Sequence, residues 1–501
     1  MNDDQSHFTT FNLSTDKMPL ATEKSKKFSF DLPIAAFTAI WITACSGSGS
    51  GGEVSVVTSD DPPTPPPPPS TKTYEVESSQ ELQDALDAVQ AGDTILIKGG
   101  HQYTSNYRFP GETIRGFTLA NSGTAEAPIR ITGDTSDDAP KPVIDQGIET
   151  KDEDTIVGIY LLCASHIVIE NIEVRNTHSA GISSSLGDCE SRGIKVSDTY
   201  IHHVYGYRNV GGIRLSRTSQ VDISNNTIHD IYQSDREGSY PIITADSGEI
   251  TEIAISQNHF YNSDTGVRLQ VQNDKYLSDV SILGNQFELL DKAIVATSNS
   301  LDGSAPADSK LGELQIRDNL FLEAASAIDL DMGNVSEQSA GLDIVNNTFY
   351  DIERVAINLS GIVGIDIYNN IFSQIERDLL ITRPSRQLDV STAISEMDYN
   401  LFWHTDYSAA TGPEWLLDLG GTNPQSFSSF GDWKSAFTDT LHAHLRADPD
   451  QFSEFDDPRF FDPENRDFTP QSMFAKTGGR HGEALGAFTG ESKPGPANEN
   501  Q

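Results

Sequence analysis

Cysteine and positive charge are what this sequence has least of. Three cysteines occur in 501 residues, and 34 Lys and Arg stand against 74 Asp and Glu, for a formal net charge of −40. A chain so acidic has no global surface for nucleic acid, because neutralising phosphates needs a surplus of cations. No zinc-spaced Cys/His cluster, Gly-rich phosphate loop or serine nucleophile elbow is present. Nucleotide chemistry and metallohydrolase chemistry are therefore disfavoured. Long apolar runs are equally scarce: the one from Phe28 to Ala44 contains Asp31 and Pro33.

That run has a meaning of its own. Lys24, Lys26 and Lys27 precede it and Ile42-Thr43-Ala44-Cys45 ends it, which resembles a bacterial lipoprotein signal with Cys45 as the lipidated residue. The competing reading is a membrane-spanning helix, for which this run is at the lower limit of length. Residues 1–17 carry none of this logic, so Met18 is an alternative start. A Gly/Ser stretch follows, and Pro62 to Pro69 is nearly all proline, an extended spacer holding a domain away from a membrane. Ser46 resembles the sorting signal for an outer membrane. The expectation is a signal region at 1–45, a linker at 46–72, one folded domain at 73–490 and a disordered tail at 491–501. The protein would be exported, anchored to the outer membrane by lipid alone, and monomeric. With Cys45 lipidated, Cys163 and Cys189 remain, about one repeat apart. They form either a disulfide, which an oxidising compartment permits, or two buried thiols.

Internal repetition fixes the fold class. Asn, a variable residue, then Ile or Phe recurs at Asn226, Asn258, Asn285, Asn319, Asn347, Asn370 and Asn400, with Asn171 and Asp198 placed at the same phase upstream. The seven asparagines are separated by 23 to 34 residues, one solenoid coil each. Each repeat holds short stretches of period-two alternation, such as Val221-Asp222-Ile223-Ser224 and Gly266-Val267-Arg268-Leu269, the mark of half-buried strands. The asparagine is expected to take the left-handed turn and to stack its amide on the next coil. Leucine-rich repeats have a similar period, but their multiple-Leu pattern is absent. The prediction is an all-β single right-handed parallel β-helix of about ten coils, with an N-terminal capping helix over Ser79–Val89 and a C-terminal capping segment.

The segments "AGDTILIKGGHQY", "NSGTAEAPIRITG" and "DPRFFDPENRDFTPQSMF" carry a resemblance. Together with the helix before them they resemble the pectate-lyase-like β-helix superfamily, including polysaccharide lyase families six and nine, over residues 73–490. The resemblance implies the fold. The scaffold hosts lyases, hydrolases, epimerases and adhesins, so the reaction has to be read from the residues. Family six lyases use a Lys on one strand and an Arg on the next, with nearby Asn and Glu calcium ligands. Those places fall near Asp246 and Gln270 here, and both depart. The Asp cluster expected of family nine, the Gly-His-Gly turn of polygalacturonases and the Asp-Pro-His signature of mannuronan epimerases are also missing.

Candidate chemistry is sought on the strand following each asparagine turn. Aligning Ile159, Ile182, Ile213, the "YPIITAD" strand, Val267, Ile294, Ile328 and Ile357 as inward residues turns Tyr160, Ser183, Arg214, Arg268, Val295, Asp329 and Asn358 outward. Arg214 and Arg268 then stand two coils apart, roughly 10 Å, and two guanidinium forks could grip carboxylates on neighbouring sugars. Alternatively they pair with local acids. Tyr240, Lys275, His202 and His203 are candidate proton-transfer groups. Asp235, Glu237, Asp246 and Glu249 are oxygen ligands of a kind Ca2+ accepts. Asp329 and Asp331 form an alternative pair, spaced about 6.5–7 Å on one face, for an inverting glycoside hydrolase; they are otherwise an exposed polar strand face. His229 and His259 are expected to bond backbone carbonyls at turns. The leading expectation is an enzyme cleaving an acidic polysaccharide by β-elimination, with a hydrolase or a non-catalytic glycan-binding or adhesin-type surface protein as alternatives. A cleft beside Arg268, formed by the Asp235–Ser239 and Asn299–Ser309 loops, would favour the enzyme.

Overall fold

A computed structural model describes residues 71–487 apart from internal stretches, of which 185–188, 234–237, 245–249, 273–275, 300–309, 333–340, 384–393 and 437–449 are the ones that matter below. All described residues lie in one compact unit, Pro67–Gln501. The strands fall into three parallel faces. The first runs from Thr73–Val76 through Ser191–Ser197 and Thr218–Ser224 to Ile394–Asp398. The second includes Glu173–His178, Tyr200–Gly206, Thr227–Gln233 and the first halves of His259–Gln272 and Gln286–Asn299. The third includes Ile156–Leu161, Ala180–Ser184, Val210–Leu215, Ser239–Thr244, the second halves of those same two long strands, and Ser326–Asp331. Each coil visits the faces in order and pairs with the coils before and after it, which is a parallel β-helix.

The core is a set of in-register columns. On the first face Ile131, Ile169, Val196, Ile223, Ile255, Ile282, Ile316, Ile344 and Ile367 occupy one inward position. On the second, Phe260, Phe287, Phe321, Phe349, Phe372 and Phe402 stack with ring centroids 4.7–5.3 Å apart, all fully buried. The strand spacing of about 4.8 Å is also a good aromatic stacking distance, so a Phe column satisfies backbone pairing and ring packing together.

Between the first and second faces runs the asparagine column. Asn258 illustrates the pattern: its Oδ1 accepts from the backbone N and the Nδ2 of Asn226, while its Nδ2 donates to Ile223 O and to Asn285 Oδ1. The pattern repeats through Asn285, Asn319, Asn347 and Asn370 to Asn400. The left-handed residue is the one before each of these, namely Asn225, Gln257, Gly284, Asp318, Asn346, Asn369 and Tyr399, with φ near +60°. Asn171 and Asp198 belong to that left-handed column, one residue out of the phase read from sequence. The correction has a simple cause: two adjacent positions both favour Asn, one for its tolerance of the left-handed region and one for its amide. The column ends at Asp450 and Ser453, which accept from Asn400, with Trp433 Nε1 donating to Asp450 at 2.7 Å.

The helix spans Ser79–Ala88, with Ser78 as N-cap accepting from Glu81 N, and it buries Leu82, Ala85 and Leu86 in the main core. Cys163 and Cys189 form a disulfide, with Cα atoms 5.6 Å apart. Near the C-terminus, Phe460–Ala487 packs along the outward side of the second face. Phe468 and Ala487 cover Leu320 and Leu322, and Ala475 and Leu485 cover Ile371 and Leu401. That flank is apolar on its outer surface as well as its inner one, and the C-terminal segment is what takes it out of water.

Candidate active site

The third face sets the register of the candidate residues. Ile159, Ile182, Ile213, Ile242, Val267, Ile294, Ile328 and Ile357 are paired neighbours and are all buried, so the inward alignment read from sequence is the observed one. The adjoining outward column reads Thr118, Tyr160, Ser183, Arg214, Ile243, Arg268, Val295, Asp329 and Asn358. Facing outward from the coil is not the same as facing water: Tyr160, Ser183, Ile243 and Val295 are buried. Tyr160 packs with Val157 and Ala180 against Ile114 and Leu162, and its hydroxyl donates to Glu112. Alternation fixes direction, but covering by neighbouring segments leaves no trace in a period of two.

Ile243 lies between Arg214 and Arg268, which puts the guanidinium-bearing residues two strand spacings apart, roughly 10 Å. Arg268 Nη1 donates to Tyr240 Oη at 2.5 Å, and the guanidinium carbon lies 5.0 Å from the centre of the Tyr240 ring. Tyr240 packs on Ile243 outside the main core. Arg214 Nη1 donates to Ser179 Oγ at 3.0 Å. Ser179 sits at the corner joining the second face to the third, where its N–H donates to Tyr205 O. The Arg214 side chain thus leans toward the histidine-bearing face.

Farther along the third face, Asp329 and Asp331 share one side of Ser326–Asp331. Both oxygens of Asp329 are engaged: Lys292 Nζ is 2.5 Å from Oδ2, and Asn358 Nδ2 donates to Oδ1 at 2.7 Å. Lys275, Asp235, Glu237, Asp246 and Glu249 lie outside the described residues, as do most of the residues of the two loops expected to form a cleft. Among the described residues, no group of three or more His, Cys, Asp or Glu is placed to hold a metal.

The second face carries His202 and His203, named from sequence as proton-transfer candidates, on Tyr200–Gly206, together with aromatic and acidic neighbours that spacing did not reveal. Its outward column reads Asp145, Arg175, His202, His229, Tyr261 and Glu288. His202 and His229 stack at 5.2 Å, and His229 and Tyr261 at 4.3 Å. His229 and His259 lie within strands and bond side chains, not the backbone carbonyls expected. His229 Nδ1 meets Asp230 Oδ2 at 2.7 Å and its Nε2 meets Tyr200 Oη at 2.8 Å, while His259 Nε2 faces Glu288 Oε2 at 3.3 Å. Burial, only partly opposed by Asp230, pushes the His229 imidazole down to about 4. Glu173 is buried enough to be raised, but His202 and Arg175 hold it below the usual carboxylate range. The signal available in sequence was the recurrence of His and Tyr just after each asparagine turn, at Tyr200, His202, His229, His259 and Tyr261.

Three parallel faces coiled about one core define the class: a parallel β-helix. No family model matches the sequence, and no curated protein matches it. Among solved structures, the chain is similar to a rhamnogalacturonan lyase at 14% identity, with 63% of this chain and 87% of the other covered and a TM-score of 0.46. It is similar to pectate lyase Pel9A at 17% identity, with 72% and 88% covered and a TM-score of 0.37. The tailspike protein of E. coli bacteriophage HK620, in complex with a pentasaccharide, gives 12% identity, 67% and 65% covered, and a TM-score of 0.46. Likeness at these identities concerns the fold and leaves the chemistry to the side chains.

Proposed function

We propose that the protein is an exported, lipid-anchored enzyme that cleaves an acidic polysaccharide by β-elimination. The observation that carries the reading is the pair Arg214 and Arg268, held in one outward column two coils apart, with Arg268 bonded to Tyr240. Elimination from a uronate needs its carboxylate neutralised so that charge developing at C5 is stabilised. A guanidinium fork does this with directional bonds, and a second fork at a sugar-scale spacing selects a polymer that is charged at successive residues. Cys45 and the proline stretch would tether the enzyme at an outer membrane, facing such polymers.

The test is direct. Purified protein incubated with alginate, pectate and glycosaminoglycans should raise the ultraviolet absorbance of an unsaturated uronate on at least one of them. Rising reducing ends without absorbance would favour hydrolysis through Asp329 and Asp331, which share a strand face. Binding with no shortening of any polymer would favour the adhesin-type reading.

A further inference from the structure

The second face holds two chains of side-chain hydrogen bonds that the proposed function has not used. In one, Glu173 Oε1 lies 3.3 Å from His202 Nε2, and His202 Nδ1 lies 2.6 Å from His203 Nδ1. Glu173 also accepts from Arg175 Nη1 at 2.8 Å, so it is an ionised acceptor. The proton positions follow from that fixed end. His202 must present Nε2–H to the carboxylate, which leaves its Nδ1 with a lone pair. His203 must then donate from Nδ1, and the lone pair of its own ring falls on Nε2. Two imidazole nitrogens 2.6 Å apart cannot both carry protons, so the arrangement requires one donor and one acceptor.

His203 takes a left-handed backbone inside the strand Tyr200–Gly206, with φ of 54°, three residues before the residue level with the Ser179 corner. Pairing on either side places Asn176 and Asp230 at this position in the neighbouring coils, residues at ease in that conformation. His203 is half-exposed there. Around it stand Tyr232, edge-on to the His203 ring at 6.0 Å and 39% exposed, and Tyr205, stacked on Tyr232 at 5.3 Å. Arg214 reaches the corner at Ser179, whose N–H meets Tyr205 O, two residues beyond His203 on the same strand.

We infer that His203 is the proton acceptor of the elimination, oriented by Glu173 and His202, and that the substrate's uronate lies across the corner between Arg214 and the second face. This rests on the lyase reading above. His203 Nε2 takes the C5 proton; that electron pair forms the C4–C5 double bond, the C4–O glycosidic bond breaks, and the leaving oxygen takes a proton from water. His203 then returns its proton to solvent. Glu173 and His202 are positioning residues that touch no substrate. Burial first, then His202 and Arg175, hold the His203 imidazole below its ordinary value against the pull of Asp230. His229, edge-on to His203 at 6.5 Å, is a neutral group, and Tyr205 and Tyr232 are raised, first by burial and then by Asp230, so both stay protonated.

The test uses the full chain with nitrogen-labelled histidine, His203 being assigned by its loss in His203→Gln. At pH 7.5 the His203 ring should carry its proton on Nδ1 and a bare Nε2, and His202→Phe should abolish that preference. On an acidic polymer cleaved by the wild type, His203→Gln should lower kcat at least 100-fold with KM within about threefold, within the range of general-base catalysis. His202→Phe should lower kcat about tenfold. A His203 ring protonated on Nε2 overturns the inference whether or not any polymer is cleaved. Retention of more than a tenth of kcat in His203→Gln overturns it as well. An oriented His203 with no acidic polymer cleaved supports the relay while sinking the lyase reading.

Discussion

Arg268 and Tyr240 show how a single contact decides between roles. Arg268→Ala removes a charged hydrogen-bond donor from the substrate face and should lower kcat/KM on the cleaved polymer about 10- to 100-fold. Tyr240→Phe leaves the guanidinium and removes only its hydroxyl partner, so the loss should stay under tenfold. The opposite order in steady-state kinetics would make Tyr240 the reacting group. Two buried residues carry opposite pH signatures. Asp450, wholly buried, is pushed from 3.8 up to about 7; the unfolded chain ionises it first, so its contribution to stability is lost as pH rises from about 4 through 7, on the order of 4 kcal/mol at most. His229 moves from 6.5 down to about 4; its contribution is present above 6.5 and lost as pH falls toward 4. Wild-type stability therefore blends two opposing slopes, and Asp450→Asn should remove the first. Relative to wild type, its urea midpoint should improve steadily between pH 5 and pH 8.

The repeating elements were legible in the sequence because their columns demand one residue type at one spacing. An Asn between two coils must offer a donor and an acceptor at the strand spacing, and a Phe beneath it must stack on another Phe. The inward alignment of the third face could be read for the same reason. The left-handed position beside each Asn was misplaced because Asn, Asp, Gln, Gly and Tyr all occupy it. His202 and His203 were legible as candidate proton-transfer groups, but their link to Glu173 was not, because it joins neighbouring coils and the sequence distance between them carries no period. Asn319→Ala would leave Asn285 N without its acceptor, take one of two partners from Asn285 Nδ2 and from Asn347 Oδ1, and remove the side-chain donor to Ile282 O. It should cost about 3 kcal/mol or more, in the same range as Phe321→Ala at roughly 3–5 kcal/mol. Both can be read from denaturant midpoints, and a near-neutral Asn319→Ala would mean that water replaces the ladder. Reducing the disulfide frees a loop of 26 residues and should cost about 3 kcal/mol in the chain-entropy view.

At the scale of the molecule the charge is the dominant fact. A protein of net charge −40 and an anionic polymer repel each other at long range, and the arginine column has to act within that field. Raising salt from about 10 to 150 mM shortens the repulsion from roughly 30 to 8 Å. KM for the acidic polymer should therefore fall over that range, the reverse of the usual weakening of ionic binding. A KM that rises would mean the local arginine field prevails over the whole-molecule charge. Deleting residues 460–487 would uncover Leu320, Leu322, Ile371 and Leu401, and increased dye binding and self-association should follow.

The column of buried amides has a direction. Along it every asparagine gives its backbone N–H and one amide proton to the coil that follows, from Thr199 at one end, whose N–H meets Asn226 Oδ1, to Ser453 and Asp450 at the other, where Ser453 accepts from Asn400 and hands its own proton to Asp450. Such a column behaves like a screw thread with a start and a stop. A whole extra turn spliced anywhere along it would find a giver behind and a taker ahead, whereas a part-turn would strand both. Duplication of a single whole coil should therefore be tolerated where a part-coil is not, so that the molecule lengthens in whole turns.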